Sequence, residues 1–566
     1  SGLREKAQEN GMKLWVENYG HWGFPGEFLQ YGGQADLVGG EFWLDDPLGE
    51  IECRAAASAG HINGKSPIFA EAFTAPRKHY ARYPGLLRQR GDWSYIQGIN
   101  HHVLHVYIHQ PYQDTMPGIN TWFGVEFNRQ NIWFPKSKSW IDYLRRNHFL
   151  LQQGNYVADV CYFIGEGAPV MTGITEPGLP EGYAFDFINA DVIINDMYVK
   201  DHRLYLSNGM SYALMVLPPL KTMRPELLEK LEQLVQQGAY IYGAAPTRSP
   251  SLEHYPLADR AVQNLATNVW GMENGQKKRA FGNGLVFNNL ELTDVLKEIQ
   301  VEPDLLIEGT LADSILWMHR KKEDIDIYFL TNQSMKSVNV NAEFRVQKRN
   351  PEIWDAVSGE IRPLFQFANR NERIQIPLRF LPGESYYVVF SDKTSPLREV
   401  GNFTEYTEVL NLNTGWKIAF DTTRKGPMKI LESQELFDWS ESENDSIKYF
   451  SGSAEYRKTF EFEGDTIANY FLDVGKLCWV ANVSLNGTPM GGIWTDPARI
   501  RLNGLKRGLN LLEIEVTNTW VNRLIGDSQL PEKERMTWAA ENPYRPGSLL
   551  QHAGLLGPVR LLRSSD

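Results

Sequence analysis

The chain has 566 residues, which exceeds what one hydrophobic core supports, so we expect three or four domains. It carries 57 Lys and Arg against 69 Asp and Glu, a formal net charge of −12. This acidic balance argues against nucleic acid as a partner, because contacts to phosphates need clustered basic side chains. No apolar run reaches the length of a membrane span.

The first 150 residues alternate short apolar runs with helical stretches. The runs are "MKLWVENY", "QADLVGGEFW", "SPIFAEAFT" and "HHVLHVYIHQP". This alternation predicts βα units and a parallel sheet that is covered on both faces. The runs end in polar residues, Glu17, Glu41 and Glu71 and then His105 and His109, as at the active-site face of a (β/α)8 barrel. Four units cannot close eight strands, so residues 1–150 are predicted to be the C-terminal half of such a barrel.

After residue 150, the pattern of apolar runs and helical stretches predicts one more α/β domain, followed by domains made of β-strands. In residues 151–295, buried strands such as "YVADVCYFIG" flank the amphipathic helix "RPELLEKLEQLVQQG", which indicates an open, doubly wound α/β domain. Residues 296–398 show alternating runs typical of an antiparallel β-sandwich. Residues 399–566 predict a second β unit. The predicted fold class is therefore multidomain, α/β followed by all-β.

The three cysteines, Cys53, Cys161 and Cys478, are far apart in the sequence and show no CxxC spacing. We predict buried free thiols, with neither a zinc site nor a disulfide framework. The opening "SGLREKAQENG" has no apolar core, so we do not expect it to be a signal peptide, and it looks instead like a chain entered in mid-domain.

Four stretches of the first 150 residues together resemble glycoside hydrolase family 106, the α-L-rhamnosidases. They are "WVENYGHWGFPGEFLQYGG", "GGEFW", "AAASAGHINGK" and "AEAFTA". The order of an α/β domain and a β-sandwich is similar to that of the family 42 β-galactosidases. The stretch from "VANVSLNG" to "EIEVTNTW" looks like the jelly-roll, galactose-binding-like domain of family 2 glycosidases.

The family 106 resemblance implies an inverting hydrolysis of α-L-rhamnosides in plant or algal polysaccharides or glycoconjugates, with calcium helping to hold the sugar. It also implies a periplasmic or secreted protein, whose export signal is not visible in this chain. Elementary chemistry agrees with such a site. Glycoside hydrolysis uses two carboxyl groups, and calcium prefers oxygen ligands.

The resemblance assigns Glu71 as the general base. A carboxylate within the apolar run "PIFAEAFT" must be paired or functional, and an ion pair with Arg77 or Lys78 is the structural alternative. Glu41 follows two glycines that permit close backbone approach. We interpret Glu41 as a calcium or substrate ligand, with the role of second catalytic acid as the rival.

The predicted calcium ligands are Glu41 and Glu17. We interpret Glu27 as a helix-start charge. The spacing of His105 and His109 places both side chains on one face of a predicted strand, where they are either sugar ligands or core residues. The full set of predicted sugar-binding residues is Glu17, Asn18, His21, Trp22, Trp43, His105 and His109.

In barrel glycosidases of this architecture the general acid usually ends the fourth strand, before the first strand visible here. We therefore expect the N-terminal part of the same enzyme to complete the barrel and to supply the acid. Two alternatives remain. One is a retaining family 42-like β-galactosidase with carboxylates about 5–5.5 Å apart. The other is a non-catalytic carbohydrate-binding or scaffold protein.

Overall fold

The computed structural model describes residues 2–17, 26–46, 48–271, 276–392 and 401–565. These residues form a mixed α/β structure with many sheets and few helices. No helix among them is both long enough and apolar enough to cross a membrane. The α-helices are α1 Gly2–Glu9, α2 Phe28–Gln34, α3 Glu50–Ile62, α4 Pro84–Ile96, α5 Lys138–Leu151, α6 Ala190–Asn195, α7 Pro225–Gln237, α8 Leu257–Val269, α9 Leu292–Glu298, α10 Asp445–Lys448 and α11 Val521–Ser528.

The first sheet has four parallel strands in chain order. Helices α2, α3 and α4 lie between successive strands, which is the predicted βα alternation. Barrel closure stays a prediction. The strands of this sheet and the two short strands that follow it are β1 Trp15–Glu17, β2 Leu37–Trp43, β3 Ile68–Thr74, β4 His101–Leu104, β5 Pro117–Gly118 and β6 Asn155–Tyr156.

The two faces of this first sheet differ in burial. One face, with Val38, Ala70 and Ala72, is fully buried in the apolar core that α3 joins. The other face carries the acidic side chains and stays partly open, since Trp15 is 41% exposed and Val103 is 36% exposed. The functional side chains therefore lie on the face that the helices leave accessible.

A second, six-stranded sheet follows, in the order β14-β15-β13-β12-β7-β8. All neighbours in it run parallel except β14, which is antiparallel to β15. Helix α7 begins with Pro225 and ends before Gly238, whose φ of 127° only glycine adopts readily. The strands of this part are β7 Val160–Phe163, β8 Phe185–Ile188, β9 Tyr198–Lys200, β10 Arg203–Tyr205, β11 Ser211–Tyr212, β12 Leu214–Val216, β13 Tyr240–Tyr242, β14 Lys278–Phe281 and β15 Gly284–Phe287.

Two antiparallel sheets make up the next part, in the orders β16-β19-β23-β22 and β21-β20-β24-β18-β17-β6. The second of them includes β6, so it crosses the predicted boundary at residue 295. The strands are β16 Leu305–Glu308, β17 Ile315–Lys322, β18 Ile325–Asn332, β19 Val338–Phe344, β20 Asn350–Trp354, β21 Ile361–Pro363, β22 Ala368–Arg370, β23 Arg373–Phe380 and β24 Ser385–Ser391.

The C-terminal part holds a four-stranded and a six-stranded antiparallel sheet around their own apolar core. Its β35 returns to the first part of the chain and pairs with β5. The sandwich and jelly-roll assignments, like the domain boundaries, stay predictions. The strands are β25 Tyr406–Asn411, β26 Trp416–Phe420, β27 Leu431–Ser433, β28 Ser453–Phe462, β29 Tyr470–Asp473, β30 Lys476–Cys478, β31 Val480–Leu485, β32 Thr488–Ile493, β33 Arg499–Leu502, β34 Gly508–Thr517, β35 Trp538–Ala539, β36 Gly554–Gly557 and β37 Arg560–Ser564.

The prediction of buried free thiols is confirmed for all three cysteines. The strand ends need a correction. We expected Glu41 and Glu71 to end their strands, but β2 continues to Trp43 and β3 continues to Thr74. The two carboxylates therefore lie inside the sheet, where neighbouring strands fix their positions.

Candidate functional site

Glu41 and Glu71 are direct partners across the parallel pair of β2 and β3. Neighbouring strands lie about 4.8 Å apart, and paired residues point to the same face, so the two carboxyl groups share one small region. Glu41 is 2% exposed, and the indole Nε1 of Trp43 donates a 2.5 Å hydrogen bond to its Oε1. The site thus begins with two neighbouring acids, one of which is deeply buried.

Burial raises the pKa of Glu41 to about 7. The hydrogen bond from Trp43 acts in the opposite direction, while the negative charges of Glu71 and Glu52 add to the increase. Two adjacent carboxylates do not both ionise easily, because the second negative charge meets the first at short range. At neutral pH and below, Glu41 therefore holds its proton in much of the population.

A bulge in β3 brings Thr74 to Glu71. Residues three apart in a regular strand point to opposite faces. Here the pairing shifts, so that Trp43 lies opposite Thr74 and Phe73 is skipped. Phe73 has a φ of 70°, which is uncommon for a residue with a side chain, and its ring packs into the core against Phe42. Thr74 Oγ1 can then donate a hydrogen bond to Glu71 Oε1.

His105 completes the polar surroundings of Glu71. Its Nδ1 lies 3.5 Å from Glu71 Oε1 and 3.2 Å from Thr74 Oγ1. Burial lowers the pKa of His105, and the opposing influence of Glu71 is smaller, so the imidazole is neutral at neutral pH. The ring of Phe123 stacks on the imidazole at 5.3 Å and 11°. The orientation of Glu71 is therefore set from two sides.

The glycine pair before Glu41 makes the close packing of β2 possible. A Cβ atom on Gly40 would come within 2.6 Å of the Glu52 backbone oxygen in α3, and one on Gly39 within 2.9 Å of Trp15 Nε1. Any larger residue at either position would push the helix or the indole away. The sequence "GGEFW" therefore places Glu41 in a strand that packs closely against α3 on one face and meets the Trp15 indole on the other.

The ion-pair alternative for Glu71 does not describe its observed contacts. The partners of Glu71 include Thr74 and His105. Lys78 instead lies 3.7 Å from Asp45, and the backbone N–H of Arg77 donates to the carbonyl oxygen of Trp122.

The structure brings some of the predicted sugar-binding residues to this site and separates others. Glu17 lies on the same face, opposite Gly39 and thus two residues below Glu41. His109 is exposed, and the prediction that it shares a strand face with His105 is wrong, because β4 ends at Leu104. The predicted residues that lie outside the described part of the chain are Asn18, His21 and Trp22.

Glu27 has a structural role in the observed fold. It precedes the first residue of α2, and its Oε1 accepts a 2.6 Å hydrogen bond from Asn189. This contact links the start of α2, beside the four-stranded parallel sheet, to the start of α6, beside the six-stranded sheet.

The predicted calcium site is not assembled by the residues that the structure describes. Among them, no group of three or more His, Cys, Asp or Glu side chains is placed to hold one metal ion. Glu17 and Glu41 share a face but are offset by two residues along the sheet. These two carboxylates alone do not fit a calcium ion, which takes six to eight oxygen ligands, and no chemical step below uses one.

Sequence reasoning missed three residues at this site. Thr74 was hidden by the bulge, since strand alternation assigns it to the opposite face from Glu71. Phe123 and Trp122 come from the loop after β4, where no periodic pattern indicates a contact. The adjacent aromatic pair in "NTWFG" was the one available signal.

Comparison with known proteins places this site in a family. The family model for the α-L-rhamnosidases of glycoside hydrolase family 106 matches residues 1–369. A solved rhamnosidase from Novosphingobium sp. PP1Y superposes with a TM-score of 0.90 at 30% identity, covering 99% of this chain and 54% of that protein. The chain thus spans about half the length of that enzyme.

Two other relatives carry different names. A Formosa agariphila protein provisionally named a beta-glucuronidase is 27% identical over 814 aligned positions, which cover 99% of this chain and 68% of the relative. A family 42 beta-galactosidase from G. stearothermophilus matches with a TM-score of only 0.43 at 9% identity, over 69% of this chain and 65% of that one. The last likeness is too weak to bear on function. The family match confirms the resemblance seen in the sequence, and the chain belongs to glycoside hydrolase family 106, the α-L-rhamnosidases.

Proposed function

We propose that this chain carries the general base of an inverting α-L-rhamnosidase, and that the base is Glu71. The observation that carries the proposal is the arrangement of Glu71 between Thr74 and His105, directly opposite the buried Glu41. The ionised Glu71 takes a proton from a water molecule as that water attacks the anomeric carbon. The bond to the leaving oxygen breaks on the opposite face of the sugar, which inverts the anomeric configuration.

Thr74 and His105 hold the base in place. The Thr74 hydroxyl donates to Oε1 of Glu71, and the neutral His105 lies against the same oxygen. In our proposal the attacking water meets the carboxylate of Glu71 that these two side chains orient. A carboxylate fixed in this way loses little freedom when substrate binds, which favours a well-oriented attack.

Glu41 binds the sugar in this proposal and is not the general acid. Inversion needs carboxyl groups about 6.5–9.5 Å apart so that water fits, whereas strand partners start from a spacing of about 4.8 Å. A carboxyl group that keeps its proton can donate a hydrogen bond to a sugar hydroxyl. The raised pKa of Glu41 supports this role.

We assign the general acid to an N-terminal part of the enzyme that pairs along β1. Within the described residues β1 pairs with β2 alone, and Trp15 at that edge is 41% exposed. A strand at the edge of a sheet with an exposed indole beside it favours pairing with a further strand. An aryl rhamnoside with a dinitrophenolate leaving group needs no acid. This chain alone should cleave such a substrate, while cleavage of rhamnosyl disaccharides should require the N-terminal part.

The substrates we propose are rhamnose-bearing plant or algal polysaccharides and glycoconjugates, met in the periplasm or outside the cell. Because one relative carries a glucuronidase name, the direct test compares two substrates. The purified protein should release nitrophenol from 4-nitrophenyl α-L-rhamnoside but not from 4-nitrophenyl β-D-glucuronide. The reverse preference would overturn the proposed activity.

A further inference from the structure

We propose that Trp122 is a stacking platform for the leaving-group sugar, held in position by the C-terminal part of the chain. The proposal rests on the proposed function, since it extends the same site by one sugar unit. It begins from a continuous series of side-chain contacts that leads from the proposed base to the surface.

The series runs through two aromatic contacts. His105 lies against Glu71, and Phe123 stacks on His105. Trp122 then meets Phe123 edge to face, with ring centroids 4.8 Å apart and an interplanar angle of 68°. Trp122 is 54% exposed, so an indole face is open to solvent only two side chains away from the proposed base.

The exposure of Trp122 indicates whether its indole contacts the cleaved rhamnose or the leaving-group sugar. The rhamnose that is cleaved must lie at Glu71, where the side chains are largely buried. A half-exposed indole at the rim instead meets the part of the substrate that remains near solvent, which is the leaving-group sugar. The apolar C–H face of a pyranose and an aromatic ring both gain when they bury each other from water.

Hydrogen bonds to the loop after β3 fix the backbone at Trp122 and just after it. The Trp122 carbonyl oxygen accepts a 2.9 Å hydrogen bond from the N–H of Arg77, in the loop after β3. The N–H of Gly124 donates to Ala75 at 2.7 Å, and a Cβ on Gly124 would come within 2.7 Å of Val106. The indole is therefore presented by a rigid loop, which reduces the entropy lost on binding.

The C-terminal part clamps the same loop. The side chain of Asn120 accepts from the backbone N–H of Glu541 at 2.8 Å and donates to its carbonyl oxygen at 2.9 Å. The Glu541 carboxylate also lies 3.5 Å from Nε2 of the buried His79. Next to them, β35 pairs with β5. The C-terminal part thus supports the rim of the active site through contacts across more than 400 residues of sequence.

The test measures binding separately from turnover. In a Glu71→Gln background, the dissociation constants of rhamnose and of the rhamnosyl-glucose disaccharide rutinose are measured by calorimetry. Adding Trp122→Ala should weaken rutinose binding roughly fivefold to tenfold, the scale of one lost aromatic contact, and should leave rhamnose binding within about twofold. Trp122→Phe should restore most of the loss. Tyr255→Ala, which removes a 63% exposed aromatic in the second sheet region, is the matched control and should change neither constant.

Unchanged rutinose binding in Trp122→Ala would overturn the platform, as would an equal loss for rhamnose. The proposed function is tested separately, by the turnover of 4-nitrophenyl α-L-rhamnoside by the wild-type protein. If the wild type turns over this substrate and Trp122→Ala binds rutinose normally, the platform fails and the function stands. If the wild type shows no turnover but rutinose binding still depends on Trp122, the proposed function fails, and Trp122 is a sugar-binding residue whose sugar is not a leaving group.

Discussion

Glu41 and Glu71 face each other as direct partners on adjacent parallel strands, one buried and with its pKa raised to about 7, the other in contact with Thr74 and His105. This pairing separates their roles. The residue that keeps its proton can donate a hydrogen bond, and the residue held by a threonine and a neutral histidine can accept the proton of a water molecule.

Replacing the proposed base should remove most activity. Glu71→Gln should lower the turnover of 4-nitrophenyl α-L-rhamnoside at least a hundredfold, within the range that general-base catalysis supplies. Glu50→Gln, at the exposed start of α3, is the control and should retain full activity. A folded Glu71→Gln protein that kept more than a tenth of the wild-type rate would exclude Glu71 as the base.

Replacing Glu41 should have a smaller effect. A glutamine resembles the protonated acid in shape, and it can both accept from Trp43 and donate to a sugar. Glu41→Gln should therefore keep activity within about tenfold of wild type at pH 6, whereas loss of a general acid would cost a hundredfold or more on a disaccharide. A hundredfold loss with the disaccharide, measured with the N-terminal part of the enzyme present, would restore the rival assignment of Glu41 as the catalytic acid.

The same substitution should change how stability depends on pH. The pKa of Glu41 rises from an ordinary value of 4.5 to about 7 on folding, so the native protein binds an extra proton between these limits. The wild type therefore loses stability as the pH rises through this window. In chelator-treated buffer, Glu41→Gln should unfold at a higher temperature than wild type at pH 8, and at a similar temperature at pH 5. A difference that is the same at both pH values would contradict the raised pKa.

Thr74 should act as a positioning residue. Thr74→Val keeps the shape of this buried side chain but removes the hydrogen bond to Glu71, so kcat should fall about tenfold while KM changes little. Thr74→Ser keeps the hydroxyl group and should restore kcat. If Ser and Val behave alike, the hydroxyl group is not what orients the base.

Calcium dependence stays a prediction that the family resemblance supports. Exhaustive chelation should abolish activity, and calcium should restore it better than magnesium, which requires a smaller octahedral site. Thermal unfolding with and without calcium provides a second readout that does not depend on turnover. Full activity and an unchanged unfolding temperature after chelation would show that the protein does not depend on calcium.

The sequence was informative where a local pattern carried the chemistry. A carboxylate inside an apolar strand, as at Glu71, and a glycine pair before Glu41 are visible without a structure. The alternation of apolar runs and helical stretches also predicted the parallel sheet in which Glu17 and Glu41 lie on neighbouring strands. These predictions depend only on neighbours in the chain.

The sequence was uninformative where the backbone departs from regular geometry or where distant segments meet. The contact between Thr74 and Glu71 depends on the bulge at Phe73, a non-glycine residue at positive φ that no residue pattern announces. His109 was misplaced because the apolar pattern continues beyond the end of β4. The clamp between Asn120 and Glu541 joins residues 421 positions apart, which local reasoning cannot connect.

The anomer of the first sugar released tests the central claim most directly. Proton NMR of the purified protein acting on an activated aryl α-L-rhamnoside should show β-L-rhamnose first, with the α anomer growing in only as mutarotation proceeds. That order follows if Glu71 directs a single water attack from the face opposite the leaving group. Initial release of α-L-rhamnose would indicate a covalent intermediate and a retaining mechanism, and would contradict the role of Glu71 as the general base.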